Sequence, residues 1–237
     1  MTTSTEVRPG SDVTLASGAD GAGVLRGYLS LPATGTGPGV VVIQEWWGLV
    51  DHVRDVCDRL AREGFVALAP DLYRGESTRD PSEAERLMMH LDVARASSDL
   101  DRAVTTLLDH DAVEGSRVGC IGFCMGGQLA LHAGAGNRRV AAVVDCYGIH
   151  PSVRVDFGSM QAAVLGVFAE NDDFVPSAAV QQLEGELAAA GVRHHFETYL
   201  GVEHAFLNDS RPDVYDAATA REAWHDILAF LRAELGA

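Results

Sequence analysis

Four cysteines in 237 residues, Cys57, Cys120, Cys124 and Cys146, are too few and too scattered for a disulfide framework. No Cys-x-x-Cys pair occurs, no ligand pair has a recognisable zinc spacing, and no metal is expected. Reduced thiols in a cytoplasm fit this usage. Long apolar runs are also lacking. The longest, such as residues 40–43 and 141–144, are far too short to span a bilayer. The opening Met1-Thr2-Thr3-Ser4-Thr5 has none of the basic-then-apolar pattern of an export signal. Positive charge is scarce, with 18 basic against 34 acidic side chains and a formal charge of −16. Such a surface repels phosphate backbones and anionic lipids, so neither nucleic acid nor a membrane is an expected partner. The acidic residues are spread along the chain, as on a solvated surface, and no repeat or low-complexity segment is present.

What the chain does have is core-forming material, 47% hydrophobic residues, in an order that alternates strands with helices. A polar leader over residues 1–10 and a single domain over 11–237 are expected. Residues 13–15 and 23–31 read as an antiparallel pair around the turn-forming stretch 17–21. From residue 39 the pattern changes. Apolar runs at 39–45, 65–68, 118–122, 140–145 and 162–168 have the length and composition of buried strands, and 194–199 reads as the last strand. Between them, helical spacing covers 50–63, 81–91, 93–108, 125–133, 177–190 and 217–234, with Ser177 expected as a cap. This order predicts one α/β domain, with a mostly parallel central sheet and helices on both faces.

Gly122-Phe123-Cys124-Met125-Gly126-Gly127 lies between an expected strand and an expected helix. A sharp strand-to-helix turn that exposes a nucleophile forces small residues two positions either side of it, because the backbones nearly touch there. Gly122 and Gly126 occupy those positions around Cys124. The free N–H groups at the helix start can then hold an oxyanion. A nucleophile needs a base, and the base needs an orienting group. In the α/β-hydrolase fold the chain order is nucleophile, acid, histidine, the last two on loops after late strands. Asp172 follows the run at 162–168 and His204 follows that at 194–199, at the carboxyl edge where such sheets bind ligands. Asp173 competes with Asp172, whereas Asp145 comes one strand too early. The histidines at 52, 90, 110, 132, 150, 194, 195 and 225 lack this placement and are read as structural.

These residues make the chain resemble the dienelactone hydrolase family along nearly its whole length. Besides the cysteine elbow, Gln44-Glu45-Trp46-Trp47-Gly48, Ala69-Pro70-Asp71-Leu72-Tyr73, Asp172-Asp173-Phe174-Val175-Pro176 and the histidine loop at 201–206 are similar to family motifs. The resemblance implies an α/β-hydrolase fold and a hydrolase of small esters or lactones, with no cofactor. It favours Asp172 over Asp173, because the family acid stands two positions before a Phe-Val-Pro. It also implies that Glu45 helps to generate the thiolate, a role with physical sense since an ordinary thiol of pKa ~8.5 is mostly protonated at neutral pH. By the same resemblance the N–H groups of Trp46 and Met125 form the oxyanion hole. Trp47, Tyr73, Tyr147 and Phe174 are candidates to line the pocket. Members acting on dienelactone bind its carboxylate through arginines. Near one such place this chain offers Arg79 or Arg86. At the other, four residues beyond the histidine, it has Asn208, which points away from dienelactone itself.

The expected partner is a small-molecule ester or lactone, and the expected assembly a monomer or weak homodimer. Two readings from other classes share the fold: a ligand-binding protein without turnover, and a thiol redox sensor using Cys124. Within the enzyme class, a halogenated acid or a thioester would suit the same groups.

Overall fold

Eight strands form one sheet in a computed structural model that describes residues 10–15, 23–148, 150 and 152–236. The strands are β1 (Ser11–Leu15), β2 (Leu25–Ser30), β3 (Gly37–Ile43), β4 (Val66–Pro70), β5 (Val113–Phe123), β6 (Val140–Cys146), β7 (Ala163–Asn171) and β8 (His194–Glu203). The helices are α1 (Asp51–Arg62), α2 (Pro81–Met89), α3 (Val93–Leu108), α4 (Met125–Gly136), α5 (Ser177–Ala189) and α6 (Ala217–Leu235). Apart from Gly10, the expected leader lies outside the described residues, as does the expected turn at 17–21. Among the described residues no helix is long and apolar enough to cross a membrane.

The spatial order is β1-β2-β4-β3-β5-β6-β7-β8. β2 runs antiparallel to β1 and β4, and every other pairing is parallel. Both faces of the parallel strands are covered, which is why β3, β4 and β6 are buried from end to end. Alternate residues feed two cores. Val41, Ile43, Leu68, Cys120 and Val143 pack with α3 and α4 on one side. Val40, Val42, Ala67, Ile121 and Val144 pack with α1 and α6 on the other. The chain moves outward one way from β3 to β4 and the other way from β5 to β8. The crevice at the carboxyl ends of β3 and β5 is therefore the topological switch point where ligands bind in such sheets.

Helix starts follow local chemistry. Asp80, Asp92 and Asp216 cap α2, α3 and α6, each accepting an N–H three residues on, with Pro81 opening α2. Ser177 departs from expectation: it is the first residue of α5 and makes no capping bond. Pro176 holds the cap position at φ −63°, and its carbonyl accepts from the N–H groups of Ala179 and Val180. Two strands outrun their apolar cores, β5 starting at Val113 and β8 ending at Glu203. The extension of β8 is paired, Asn171 to Glu203, past a register shift in β7.

Candidate active site

β5 ends at Phe123 and α4 begins at Met125, so Cys124 makes the whole turn by itself at φ 52° and ψ −124°. A side chain other than glycine in that region carries about 1–2 kcal/mol of strain, which the surroundings must enforce. The enforcement is visible. A Cβ on Gly122 would sit 1.9 Å from the carbonyl oxygen of Gly126, and one on Gly126 would lie 2.5 Å from that of Ile43. The Cys124 N–H donates to the Cys146 carbonyl at 3.0 Å, tying the turn to β6. As the first residue of α4, Met125 has an N–H with no acceptor inside the helix.

His204 follows β8 directly and Asp172 follows β7. His204 Nδ1 lies 2.8 Å from Asp172 Oδ2. The other carboxylate oxygen of Asp172 accepts the N–H groups of Phe174 and Val175, both at 2.8 Å, so the acid is locked in place. Asp173 is exposed. The imidazole lies between two aromatic rings, Tyr147 at 5.0 Å and Phe174 at 4.9 Å. Burial opposes the charged imidazole, but hydrogen bonds with Asp172 and then with Cys124 outweigh it and raise its pKa to about 10. The imidazole therefore stands between the other two residues, bonded to the Asp172 carboxylate on one side and within interaction reach of the Cys124 thiol on the other.

Cys124 and His204 border a cavity of about 680 Å³ with Glu45, Trp46, Trp47, Phe174 and Arg79. Helix α2 closes one side with Pro81, Glu85 and Met88. The remaining candidates lie elsewhere. Tyr73 is buried, and its hydroxyl meets the Met125 sulfur at 3.3 Å, bracing the start of α4. Tyr147 is fully buried behind His204. Arg86 is absent from the cavity lining and pairs with Glu83 and Glu76, because α2 turns that side chain along its own surface. Glu45 is only 1% exposed, and its Oε2 accepts from the Asn208 amide at 2.7 Å.

The expectation of a missing second cation needs correction. Arg211 brings another guanidinium to the cavity from three residues beyond Asn208, paired with Asp213 at 2.7 Å. A rule fixed on the fourth residue after the histidine misses it. The Arg-Pro step at 211–212, in the irregular loop before α6, was the available signal.

The sequence profile of the dienelactone hydrolase family matches residues 25–235. The chain belongs to this family. "Protein usf" of Aquifex pyrophilus is 36% identical over 215 residues, covering 88% of this chain and 93% of that protein. A candidate carboxymethylenebutenolidase of Aquifex aeolicus is 34% identical over 219 residues, covering 89% and 94%. Among solved structures, a dienelactone hydrolase-like promiscuous phosphotriesterase from metagenomic libraries superposes with a TM-score of 0.84 at 25% identity, covering 96% of this chain and 99% of that one. The fold is that of the α/β-hydrolases, and family membership makes the chain a hydrolase of the ester or lactone type.

Proposed function

We propose that the protein hydrolyses small esters or lactones by acyl transfer through Cys124. The observation that carries this reading is the place of His204 between Cys124 and Asp172 at the wall of the 680 Å³ cavity. The Cys124 sulfur attacks the substrate carbonyl carbon, forming a C–S bond and an oxyanion held by the N–H groups of Met125 and Trp46. Collapse breaks the C–O bond, and the His204 imidazolium gives its proton to the leaving alkoxide. In a lactone the alkoxide stays attached to the acyl group. His204 then takes a proton from water, the hydroxide attacks the thioester, and the thiolate leaves. Asp172 holds the ring and stabilises its charged form throughout. Electrons come from sulfur and protons pass through imidazole, so the sequence of steps calls for no cofactor.

Aromatic walls from Trp46, Trp47 and Phe174 suit an apolar acyl or alcohol part. Arg79 has no ion pair or hydrogen bond among the described residues, and with Arg211 it favours a carboxylate on part of the substrate range. The redox-sensor alternative finds less support, since Cys120 and Cys146 are fully buried. The deciding assay is release of p-nitrophenol from p-nitrophenyl acetate, with a panel of neutral and carboxylated lactones alongside. Turnover by the wild type is expected to vanish in Cys124→Ala. Equal behaviour of the two proteins on every compound would refute the assignment.

A further inference from the structure

A second cavity, of about 310 Å³, adjoins the catalytic one, and Trp47, Arg79 and Arg211 line both. Its walls are tied together. The Thr78 N–H donates to the Trp47 carbonyl at 3.0 Å. Gly48, at φ 92°, admits the Glu76 carbonyl oxygen, which would lie 2.6 Å from a Cβ there. Two features of this cavity lack partners. The first is the start of α1, where Val50 holds the cap position and has no side-chain oxygen to offer, so the first-turn N–H groups open on the cavity. The second is His52, a wall residue only 5% exposed, whose Nε2 has no hydrogen-bond partner among the described residues. Asp209 Oδ1 stands 3.4 Å from His52 Nδ1, so the proton of the neutral ring belongs on Nδ1 and Nε2 presents a lone pair. A buried acceptor left this way calls for a donor from outside the chain.

We infer that this cavity receives one arm of the substrate, and that the arm carries a hydroxyl for His52 Nε2 together with an anionic oxygen group, carboxylate or phosphate. The inference rests on the ester-hydrolase reading of Cys124 and names a substrate class for it. A hydroxyl is the donor that fits, because an ammonium would face two guanidiniums. The Ser210 hydroxyl, which donates to Asn208 at 2.6 Å, keeps its own lone pairs for a further hydroxyl of the same arm. For the anion, Arg79 supplies a charge that no residue of the chain pairs, and the α1 N–H groups supply a dipole of the same sign. Arg211 adds to them, although Asp213 shares it. Asp51, exposed at the same helix start, is the one carboxylate in the lining and opposes them. An anion held by the arginines beside Cys124 would leave both His52 and the start of α1 unused. With the reacting carbonyl at the elbow and the arm reaching past Trp47, every one of these groups is engaged.

Three acetyl esters separate the contacts. 1-Acetylglycerol 3-phosphate carries hydroxyl and anion, 3-acetoxypropyl phosphate the anion alone, and 1-acetylglycerol hydroxyls alone. Acid release in a pH-stat gives kcat/KM for each. The first is expected to exceed each of the others about tenfold, with the difference in KM. In His52→Leu its lead over the propyl compound is expected to vanish, and in Arg79→Ala its lead over 1-acetylglycerol to shrink several-fold. Each lead is a ratio within one preparation, so a misfolded fraction cancels. Arg79 is exposed, which keeps the test valid if the buried histidine cannot be replaced. Equal kcat/KM on all three esters would overturn the inference, as would leads that survive either substitution, since the arm would then lie elsewhere. Inorganic phosphate tests a free anion as the occupant. It is expected to leave kcat for 1-acetylglycerol unchanged, and a changed kcat would make the cavity an effector site and sink the substrate reading. Failure of the nucleophile assignment shows separately, as hydrolysis of 1-acetylglycerol that persists in Cys124→Ala.

Discussion

Asp172 and Asp173 offer the same carboxyl group one residue apart, and chain order alone serves either. The difference lies in the backbone around them. Asp172 faces inward and receives the N–H groups of Phe174 and Val175, whereas Asp173 points to solvent. A carboxylate fixed in this way can orient His204 and stabilise its charged form, which an exposed neighbour cannot. Asp172→Asn keeps the shape and the two backbone bonds but presents an N–H₂ to the imidazole. Its expected effect is a drop in kcat of about 10²–10⁴. The His204 titration should also move down from about 10, because its largest favourable contact is lost. Asp173→Asn should alter neither. Steady-state hydrolysis and the pH dependence of histidine ring NMR signals check both claims. Equal losses in the two variants would transfer the role. The places of Cys124 at a strand-to-helix turn and of His204 just after the last strand were legible from glycine spacing and chain order. Arg211 and the Asn208–Glu45 bond were not, because they depend on how an irregular loop folds back over β3, which no periodicity records.

At the scale of elements, the turn from β5 to α4 is where local sequence and tertiary packing agree most closely. Apolar runs located the strands because a sheet covered on both faces needs them. Helices were legible from spacing and from the Asp caps. Strand ends were harder to read. β8 is an edge strand with mixed exposure, and its polar extension to Glu203 is held by pairing with β7 rather than by burial. Those extra residues matter, since they deliver His204 to the elbow. The elbow itself tolerates no added atom. In Gly126→Ala the new methyl would meet the carbonyl oxygens of Ile43 at 2.5 Å and Gln44 at 2.6 Å, and β3 would have to move with Glu45 and Trp46 attached. A destabilisation of about 2–4 kcal/mol with loss of most activity is expected. Gly136 ends the same helix with open space around it. Gly136→Ala should be neutral or stabilising by up to about 1 kcal/mol. Urea unfolding of the pair tests this, and similar midpoints would mean that the elbow is softer than its contacts imply.

Taken whole, the molecule is strongly acidic, and one carboxylate of that excess is placed where charge is least welcome. Asp145, at the end of β6, is fully buried, and neither oxygen makes a well-aligned hydrogen bond among the described residues, the Gly148 N–H approaching it only weakly. It packs against Gly127 and Gly148, at either of which a Cβ would fall about 2 Å from Oδ1. Burial raises its pKa from 3.8 to about 7, opposed only in part by the Gly148 N–H. For an acid this direction means that the folded chain holds the proton longer than the unfolded one. Stability is therefore greatest below about pH 4 in this contribution and declines as pH climbs through 7, by an amount on the order of 4 kcal/mol. His204 acts in a different window: its raised pKa contributes stability that is full below 6.5 and lost as pH rises through about 10. No lysine occurs in the chain, so every cationic side chain other than histidine is an arginine that stays charged across both windows. Asp145→Asn removes the first contribution and leaves the second. Against wild type, its thermal midpoint is expected to be equal or lower at pH 5 and higher at pH 8, the gap widening with pH between them. General repulsion among the acidic surface groups acts on both proteins alike and cancels in the comparison. A difference that stays constant with pH would mean that Asp145 ionises normally in the folded state and is solvated by a route its burial does not reveal.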